Sequence, residues 1–186
     1  MEQNLWAPWR MAYIRSLERE GGDARAGAPA SDGGNFLLSA WRRPELDAAN
    51  LVVHRDANGL IMLNRYPYTN GHLLVALGDA RPRLLEYPPA MRAAFWSLVD
   101  LASALVEACL QPQGLNVGIN QARAAGAGLP EHVHAHVLPR WNGDTNFMAT
   151  VAGARVIPEA LESVAEAYRR AVPDALRAIA GDPDRG

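Results

Sequence analysis

Cysteine is nearly absent from this chain, which carries a single one, Cys109, in 186 residues. One cysteine excludes an intramolecular disulfide and leaves no cysteine cluster that could hold zinc. Long apolar runs are missing as well: nowhere do eighteen consecutive apolar residues occur, and no basic segment at the N-terminus leads into such a run. We therefore expect a soluble, cytoplasmic protein that does not associate with membranes.

An excess of charge of either sign is also lacking, because 18 Lys and Arg stand against 20 Asp and Glu and give a net charge of −2. Proteins that bind nucleic-acid polymers usually present a basic stripe, so this composition argues against a DNA or RNA partner. Any nucleotide should be bound locally, as a small molecule. With 49% hydrophobic residues the chain fits one domain with its own core, and we expect a single domain over residues 1–186.

The most informative stretch is residues 131–140, where three of the chain's five histidines, His132, His134 and His136, occupy alternate positions. Small or branched apolar residues fill the positions between them. This alternation predicts a half-buried β-strand whose side chains point to opposite faces in turn. The histidines should then line one face of the sheet, while the apolar residues pack on the other.

Two simpler explanations compete with a catalytic one. A histidine-rich surface, or core histidines satisfied by backbone hydrogen bonds, would need no chemistry, but three titratable rings in register are seldom required by structure alone. For a metal site, His132 and His136 would have Cα atoms about 13 Å apart, which is awkward for two ligands that each sit about 2.1 Å from one zinc ion. Two adjacent histidines could share a metal, whereas all three are not expected to.

Such a row suits a central nucleophile with two flanking groups. A neutral imidazole at His134 can attack phosphorus if one ring nitrogen is held as an N–H donor and the other keeps its lone pair. Protonated or N–H-bearing neighbours at His132 and His136 can hold phosphate oxygens, and phosphoryl transfer depends mainly on such positioning and charge stabilisation. The residues themselves therefore favour chemistry at a phosphate.

The sequence His-Val-His-Ala-His-Val-Leu over residues 132–138 resembles the histidine triad, or HIT, motif of nucleotide hydrolases and transferases. The resemblance implies that His134 attacks the α-phosphorus of a nucleoside phosphoanhydride and forms a nucleotidyl-histidine, with His132 and His136 flanking the phosphate. Residues 4–14 and 139–148 also resemble the family branch that contains diadenosine tetraphosphate phosphorylases. The expected substrate is therefore a dinucleoside polyphosphate, cleaved by water or by inorganic phosphate.

Residues 64–72, Asn-Arg-Tyr-Pro-Tyr-Thr-Asn-Gly-His, closely resemble a second HIT signature. In the family the asparagine holds the ribose hydroxyls and the histidine lies near the triad, so the resemblance assigns these roles to Asn64 and His72. An amide can both donate to and accept from a diol, which gives the ribose role a physical basis. Without this match, Asn64 would be taken for a turn residue and His72 for a satisfied strand histidine.

A glycine-rich loop over residues 121–130 is predicted just before the triad. Gly126 and Gly128 would let the backbone approach an anionic phosphate and offer it N–H groups. Asn120, at the start of the loop, resembles the amide residue that HIT enzymes place beside the phosphates. Gly128 and Leu129 replace the glutamine and hydroxyl residue found there in some HIT groups, so we expect backbone N–H groups to hold the phosphate.

Two residues after the triad are further candidates for substrate binding. Arg140 could contact phosphate, although a surface arginine is the commoner case. Trp141 could stack on a base or pack at a subunit contact, and the sequence does not distinguish these roles.

Periodicity and turn signals predict an α+β domain with a HIT-like fold, in which a mostly antiparallel sheet is covered by a long helix and flanked by terminal helices. Besides the triad strand, strands are expected over residues 51–54, 59–64, 72–77 and 114–120. Helices are expected over residues 4–14, 88–110, 158–171 and 173–180. A flexible loop is expected near residues 21–34 and a frayed tail over residues 181–186.

The resemblance also implies a homodimer whose sheets join across a two-fold axis, which the residues alone would not show. Residues 35–38 lack the Cys-x-x-Cys pair that completes a zinc site in many relatives. No cofactor is therefore expected, although Mg²⁺ can accompany the substrate as a counter-ion. Two other functions stay open at this point: a nucleoside phosphoramidase, and a nucleotide-binding regulatory module without turnover.

Overall fold

A computed structural model of the protein describes residues 34–144 and 157–181. The helix expected over residues 4–14 lies outside the described residues. The same is true of the expected loop near 21–34 and the expected tail over 181–186, apart from Gly34 and Gly181.

Five antiparallel strands form one sheet in the order β1-β2-β3-β5-β4. They run over Val52–Arg55 (β1), Gly59–Leu63 (β2), Leu73–Leu77 (β3), Gly114–Ile119 (β4) and His134–Arg140 (β5). The first four begin and end within one residue of the predicted bounds. The predicted α+β class with an antiparallel sheet is therefore confirmed.

The triad strand is shorter than predicted, because β5 begins at His134 rather than at Glu131. His132 and Val133 lie just before the strand. The backbone N–H of Val133 donates to the carbonyl oxygen of Arg81 at 2.8 Å, in the loop that follows β3. The first histidine of the triad is therefore held by different contacts from the other two.

Three helices accompany the sheet: Phe36–Arg42 (α1), Pro89–Leu110 (α2) and Leu161–Ile179 (α3). The sequence did not lead us to expect α1, which begins where the side chain of Asn35 accepts the backbone N–H of Leu38 at 2.9 Å. α2 matches its prediction closely. It begins with a proline in its first turn and ends where Gln111 turns left-handed, with φ of 45°.

The prediction of two C-terminal helices separated near Pro173 is wrong, because α3 is continuous through that residue. A proline in a helix removes one backbone hydrogen bond and usually kinks or breaks the helix. Here Tyr168 before Pro173 and Ala175 after it are both buried in the main core. This packing holds both halves in one helix.

The sheet separates two apolar clusters. Its first face packs against α2 and α3 and contains the three apolar residues that alternate with the triad histidines, Val133, Ala135 and Val137. Its second face lies beneath α1, where the buried residues are Leu37, Ala40, Val52, Leu60, Met62, Leu74, Ala76 and Leu129. Because His134 pairs with Ala76 and His136 with Leu74, both histidines lie on the second face. The predicted division into a packing face and a histidine face is confirmed.

By length and composition, α2 could cross a membrane. In the structure it packs against the sheet and α3, with its buried residues in the main core. The core helix of a globular domain meets the same criteria of length and hydropathy.

Gly71 forms the turn that leads into His72. Its φ is +76°, and a Cβ added there would collide with the side chains of Leu110 and Tyr168. Its carbonyl oxygen accepts the Tyr168 hydroxyl at 2.9 Å, so this one residue contacts both covering helices. Only a glycine combines this backbone conformation with this close approach.

We predict that Gly71→Ala lowers the free energy of unfolding by about 2–4 kcal/mol, because it adds backbone strain to a collision inside the core. Urea denaturation measures the change. Gly114→Ala is a matched control, since nothing lies within 4 Å of a Cβ added at Gly114 and its φ is not left-handed. The control should change stability by no more than about 0.5 kcal/mol, and equal losses in the two variants would contradict the assignment.

Candidate active site

His134 is the first residue of β5 and is 5% exposed. Its Nδ1 lies 2.8 Å from the backbone carbonyl oxygen of His132. Since a carbonyl oxygen can only accept, Nδ1 carries the proton and Nε2 keeps its lone pair. This is the tautomer that a histidine nucleophile requires.

Burial favours the neutral form of this nucleophile. It lowers the pKa of His134 below the usual 6.5, an effect that the hydrogen bond to His132 and the charge of Glu131 oppose. The ring is therefore neutral at neutral pH. When Nε2 attacks phosphorus and the ring becomes cationic, the carbonyl oxygen at Nδ1 is already in place to stabilise the charge.

His136 and His72 form a hydrogen-bonded pair, with Nδ1 of His136 2.9 Å from Nε2 of His72. The backbone N–H of Tyr68 donates to Nδ1 of His72 at 3.2 Å, and Nδ2 of Asn64 lies 3.2 Å from the same nitrogen. Because two donors meet Nδ1 of His72, its proton sits on Nε2 and is donated to His136. His136 therefore carries its own proton on Nε2, the opposite tautomer from His134.

The surroundings of His136 keep it neutral and close to the nucleophile. Burial lowers its pKa to about 4, and the neighbouring His134 adds to this effect. The ring centroids of His134 and His136 are 5.0 Å apart. Tyr68 stacks on His136 with a centroid distance of 5.9 Å and an interplanar angle of 15°. At neutral pH His136 can thus donate a hydrogen bond to a phosphate oxygen.

His132 is fully buried and faces inward. Its Nε2 lies 2.8 Å from the carbonyl oxygen of Leu77, and its Nδ1 lies 3.2 Å from Oδ1 of Asn35. Two oxygens facing one ring would favour a cation, but burial dominates and lowers the pKa of His132 to about 4. The ring is then neutral, with its proton on Nε2 at the shorter contact.

This geometry changes the role expected of His132. Its one N–H is used inside the protein, so it has none to give a phosphate oxygen. Its backbone carbonyl, however, is the acceptor that sets the tautomer of His134. The first histidine of the triad therefore positions the second.

Asn64 lies directly beside His72 and is half-buried. Its Oδ1 accepts the backbone N–H of Tyr66 at 2.9 Å, while its Nδ2 is directed at His72. An amide has two N–H groups and two acceptor lone pairs, so one of each remains. That pair matches a vicinal diol, which needs one acceptor and one donor.

The HIT domain model of known protein families matches residues 45–143, more than half of the chain. The chain belongs to the HIT domain family. It is 34% identical over 160 residues to an AP-4-A phosphorylase of Mycobacterium tuberculosis, a match that spans 86% of this chain and 78% of that protein.

Other HIT proteins are similar over shorter stretches. An asymmetrical bis(5′-nucleosyl)-tetraphosphatase of Schizosaccharomyces pombe is 30% identical over 93 residues, half of each chain. Among solved structures, a zinc-bound histidine triad family protein from Mycobacterium smegmatis superposes with a TM-score of 0.61 at 27% identity. It covers 75% of this chain and 96% of that one. The predicted HIT-like fold is therefore confirmed.

The glycine-rich loop before the triad, residues 121–130, uses several of its N–H groups in hydrogen bonds within the loop. Ala125 and Ala127 donate to the carbonyl oxygen of Ala122 at 3.2 and 3.3 Å, and Gly126 donates to that of Arg123 at 2.9 Å. The N–H of Gly126, predicted to face phosphate, is thus already engaged. Gly126 instead closes a turn, with φ of +83°.

Gly128 and Leu129 are better placed to offer backbone N–H groups to a phosphate. Within residues 34–144 and 157–181, neither N–H donates to an acceptor. The side chain of Leu129 is buried beneath α1, so the residue that replaces the usual hydroxyl also packs the second face of the sheet. The φ of Gly128 is not positive, so other residues could adopt its backbone conformation. Any advantage of glycine at this position would therefore come from the absence of a side chain.

Asn120 is also brought to the nucleophile. The last paired residues of β4 and β5 are Ile119 and Ala135, so Asn120 comes next, opposite His134. The structure therefore brings Asn64, His72 and Asn120 close to the triad, and their roles in substrate binding stay predictions.

Arg140 and Trp141 lie apart from this group. Arg140 is six residues beyond His134 in the same strand, about 20 Å away. Its guanidinium binds both carboxylate oxygens of Asp144, at 2.5 and 2.8 Å, and Oδ1 of Asn116 at 2.9 Å. Trp141 is half-buried, and its backbone N–H donates to the same carboxylate at 3.3 Å. A phosphate contact by Arg140 would require these hydrogen bonds to break. The role of Trp141, in base stacking or at a subunit contact, stays a prediction.

Two side chains of the site were missed by the sequence reasoning. Asn35 contacts His132, and its signal was present, since an asparagine before an apolar run is a common helix N-cap. Tyr68 supplies both a backbone donor to His72 and a ring stacked on His136. It lies inside the second HIT signature but was assigned no role.

Among the described residues, no group of three or more His, Cys, Asp or Glu side chains is arranged so that it could hold a metal ion. The triad histidines engage protein atoms instead, as described above. That no cofactor is required stays a prediction.

The lowered pKa values of His132 and His136 predict that stability depends on pH. Both rings protonate near 6.5 in the unfolded chain but only near 4 in the folded protein. Between these values the unfolded state binds more protons, so the stabilisation is complete above about 6.5 and is lost as the pH falls towards 4. Each ring should lower the free energy of unfolding by about 2 kcal/mol when the pH falls from about 7 to about 5.

Urea denaturation of the protein and of His132→Gln at both pH values tests this. Between the two pH values, the variant should lose about 2 kcal/mol less of its free energy of unfolding than the unmodified protein does, because it lacks one buried titrating ring. His54→Gln is the comparison, since burial also lowers the pKa of this half-buried ring but Asp56 opposes the shift, so its removal should reduce the pH-dependent loss of stability by less. The same pH dependence in His132→Gln and the unmodified protein would contradict the assignment.

Proposed function

We propose that this protein is an enzyme that cleaves dinucleoside polyphosphates such as diadenosine tetraphosphate by transferring a nucleotidyl group to His134. The hydrogen bond from Nδ1–H of His134 to the carbonyl oxygen of His132 carries this proposal, because it leaves Nε2 as a lone pair on a buried, neutral ring. The phosphorylase and tetraphosphatase among the relatives support the substrate class.

In the first step, Nε2 of His134 forms a bond to the α-phosphorus, and the bond from that phosphorus to the bridging oxygen breaks. The electron pair leaves with the remaining polyphosphate. Asn64 holds the ribose through its free N–H and lone pair, while Nε2–H of His136, the amide of Asn120 and the N–H groups of Gly128 and Leu129 face the phosphate oxygens. These contacts position the phosphorus for attack.

In the second step, an oxygen nucleophile attacks the nucleotidyl-histidine and frees Nε2 of His134. Water gives the nucleoside monophosphate, whereas inorganic phosphate gives the nucleoside diphosphate. Mg²⁺ enters with the substrate as a counter-ion of its phosphates, and the protein needs no cofactor of its own.

We also propose that the protein is a cytoplasmic homodimer. Supporting this, β4 lies at the edge of the sheet and pairs only with β5 among the described strands. Val117, in the middle of this strand, is 45% exposed. An exposed edge strand invites pairing with another chain, and a second copy of β4 would continue the sheet across a two-fold axis.

We predict that His134→Ala lowers the turnover of diadenosine tetraphosphate by at least about 10³-fold while AMP binding persists, because only the nucleophile is lost. Steady-state kinetics and calorimetric titration with AMP measure the two effects. His54→Ala serves as the control, since His54 lies on β1 outside the site. Turnover near that of the control would refute the nucleophile.

The same assay, run with and without inorganic phosphate, identifies the second step. ADP with ATP as products shows phosphorolysis, and AMP with ATP shows hydrolysis. AMP binding without any turnover in the unmodified protein would instead indicate a regulatory module.

A further inference from the structure

The peptide group that joins His132 to Val133 has a hydrogen bond at each end. Its carbonyl oxygen accepts Nδ1–H of His134 at 2.8 Å, and its N–H donates to the carbonyl oxygen of Arg81 at 2.8 Å. A peptide group is planar, so the direction of its N–H also fixes the direction of its C=O. The carbonyl of Arg81 therefore directs the acceptor that orients the nucleophile.

The direction of the Arg81 carbonyl is restricted by the next residue, Pro82. A proline ring clashes with helical conformations of the residue before it, which pushes Arg81 towards an extended conformation. This restriction fixes the carbonyl only relative to the rest of Arg81. The other end of the residue, its N–H, must be held by a separate contact.

The hydroxyl of Tyr87 holds this N–H. It accepts the backbone N–H of Arg81 at 3.1 Å and donates its own proton to the backbone carbonyl of Asp79. The ring is 2% exposed, and burial raises the pKa of Tyr87 to about 12, so the hydroxyl keeps its proton at neutral pH. One buried hydroxyl thus connects two backbone groups of the loop between β3 and α2.

The side chain of Arg81 packs on the same ring. Its guanidinium carbon lies 5.4 Å from the centroid of the Tyr87 ring, and its Nε donates to the carboxylate of Asp79 at 2.8 Å. Both the backbone and the side chain of Arg81 therefore engage Tyr87 and Asp79. Loss of the hydroxyl would leave one backbone donor and one backbone acceptor without this partner, so the loop would have to move to satisfy them.

A role in packing alone is the simpler explanation for Tyr87, since its ring belongs to the main core. A phenylalanine would fill the same space, however, and packing does not need a hydroxyl. The hydroxyl is used for hydrogen bonds, and both of these lead to the loop that holds Val133.

We propose that Tyr87 is a positioning residue for the nucleophile, His134. It acts through the carbonyl of Arg81 and the peptide group that follows His132. The proposal rests on the proposed nucleotidyl transfer to His134 and adds a residue that supports it from the loop after β3. The Tyr87 hydroxyl keeps the acceptor carbonyl directed at Nδ1 of His134, so that Nε2 keeps its lone pair and its orientation.

Tyr87→Phe tests this role, because it keeps the ring in the core and removes only the hydroxyl. Hydrogen exchange, measured by NMR without substrate, follows the amide proton of Val133 and the ring proton on Nδ1 of His134. Both should exchange at least about fivefold faster relative to the amide protons of β3, which report on overall stability. If these two protons and those of β3 change by the same factor, the hydroxyl contributes only to stability and the proposal is overturned.

Tyr168→Phe is the matched control, since it removes another buried hydroxyl that donates to a backbone carbonyl, that of Gly71. In this variant the protons of Val133 and His134 should keep their exchange rates relative to β3. The same relative acceleration as in Tyr87→Phe would show that the loss of any buried hydroxyl is enough, which would also overturn the proposal.

Pro82→Ala tests the second constraint on Arg81 and changes no core side chain, because Pro82 is exposed. It should accelerate exchange at Val133 and His134 by at least about twofold relative to β3, since the backbone of Arg81 gains freedom. Unchanged relative rates would contradict the path through Arg81, and this test holds even if Tyr87→Phe does not fold.

The turnover of diadenosine tetraphosphate tests the consequence for catalysis. The kcat of Tyr87→Phe should fall by at least about fivefold while KM changes by less than about twofold, because only the orientation of the nucleophile is lost. A kcat equal to that of Tyr168→Phe would overturn the role in catalysis. Absence of a nucleotidyl group on His134 in the unmodified protein would instead refute the proposed function, and the exchange measurement, which needs no substrate, would still decide the role of Tyr87.

Discussion

One hydrogen bond within the triad determines what the site can do: the bond from Nδ1–H of His134 to the carbonyl oxygen of His132. It depends on His132 being fixed, and three separate elements fix it. The end of β3 offers the carbonyl of Leu77, the start of α1 places Asn35 against the ring, and Val133 donates to the loop after β3. The tautomer of the nucleophile is therefore set by tertiary structure rather than by the local strand.

The same sheet face holds histidines of opposite tautomers. His134 carries its proton on Nδ1, whereas His72 and His136 carry theirs on Nε2 because their hydrogen bonds begin at backbone and amide donors. Burial lowers the pKa of His134 and of His136, so both of these rings are neutral at neutral pH. One ring can then attack with a lone pair while its neighbour donates a hydrogen bond, as nucleotidyl transfer requires. The apolar residues between them fix this arrangement by packing against α2 and α3.

The features that follow from side-chain pattern could be predicted from the sequence. Alternation predicted the two faces of β5, and the resemblance of residues 64–72 to a HIT signature implied that His72 lies near the triad. The inward orientation of His132 could not be predicted, because its main partner is the backbone carbonyl of Leu77, which any residue could supply. The hydrogen bond from the N–H of Gly126 to the carbonyl oxygen of Arg123 could not be predicted either, because its acceptor is also a backbone group. The continuity of α3 through Pro173 could not be predicted either, because it depends on packing against the core and not on the helix propensity of the local sequence.

The most direct test of this account is the tautomeric state of the histidines in solution, measured by ¹⁵N NMR of the protein labelled in its histidine rings and kept near neutral pH. The account predicts a neutral His134 protonated at Nδ1, together with neutral His72 and His136 protonated at Nε2. Substitution of each histidine assigns the signals. A His134 protonated at Nε2, or one that is an imidazolium at this pH, would contradict the account, because the nucleophilic lone pair would be absent.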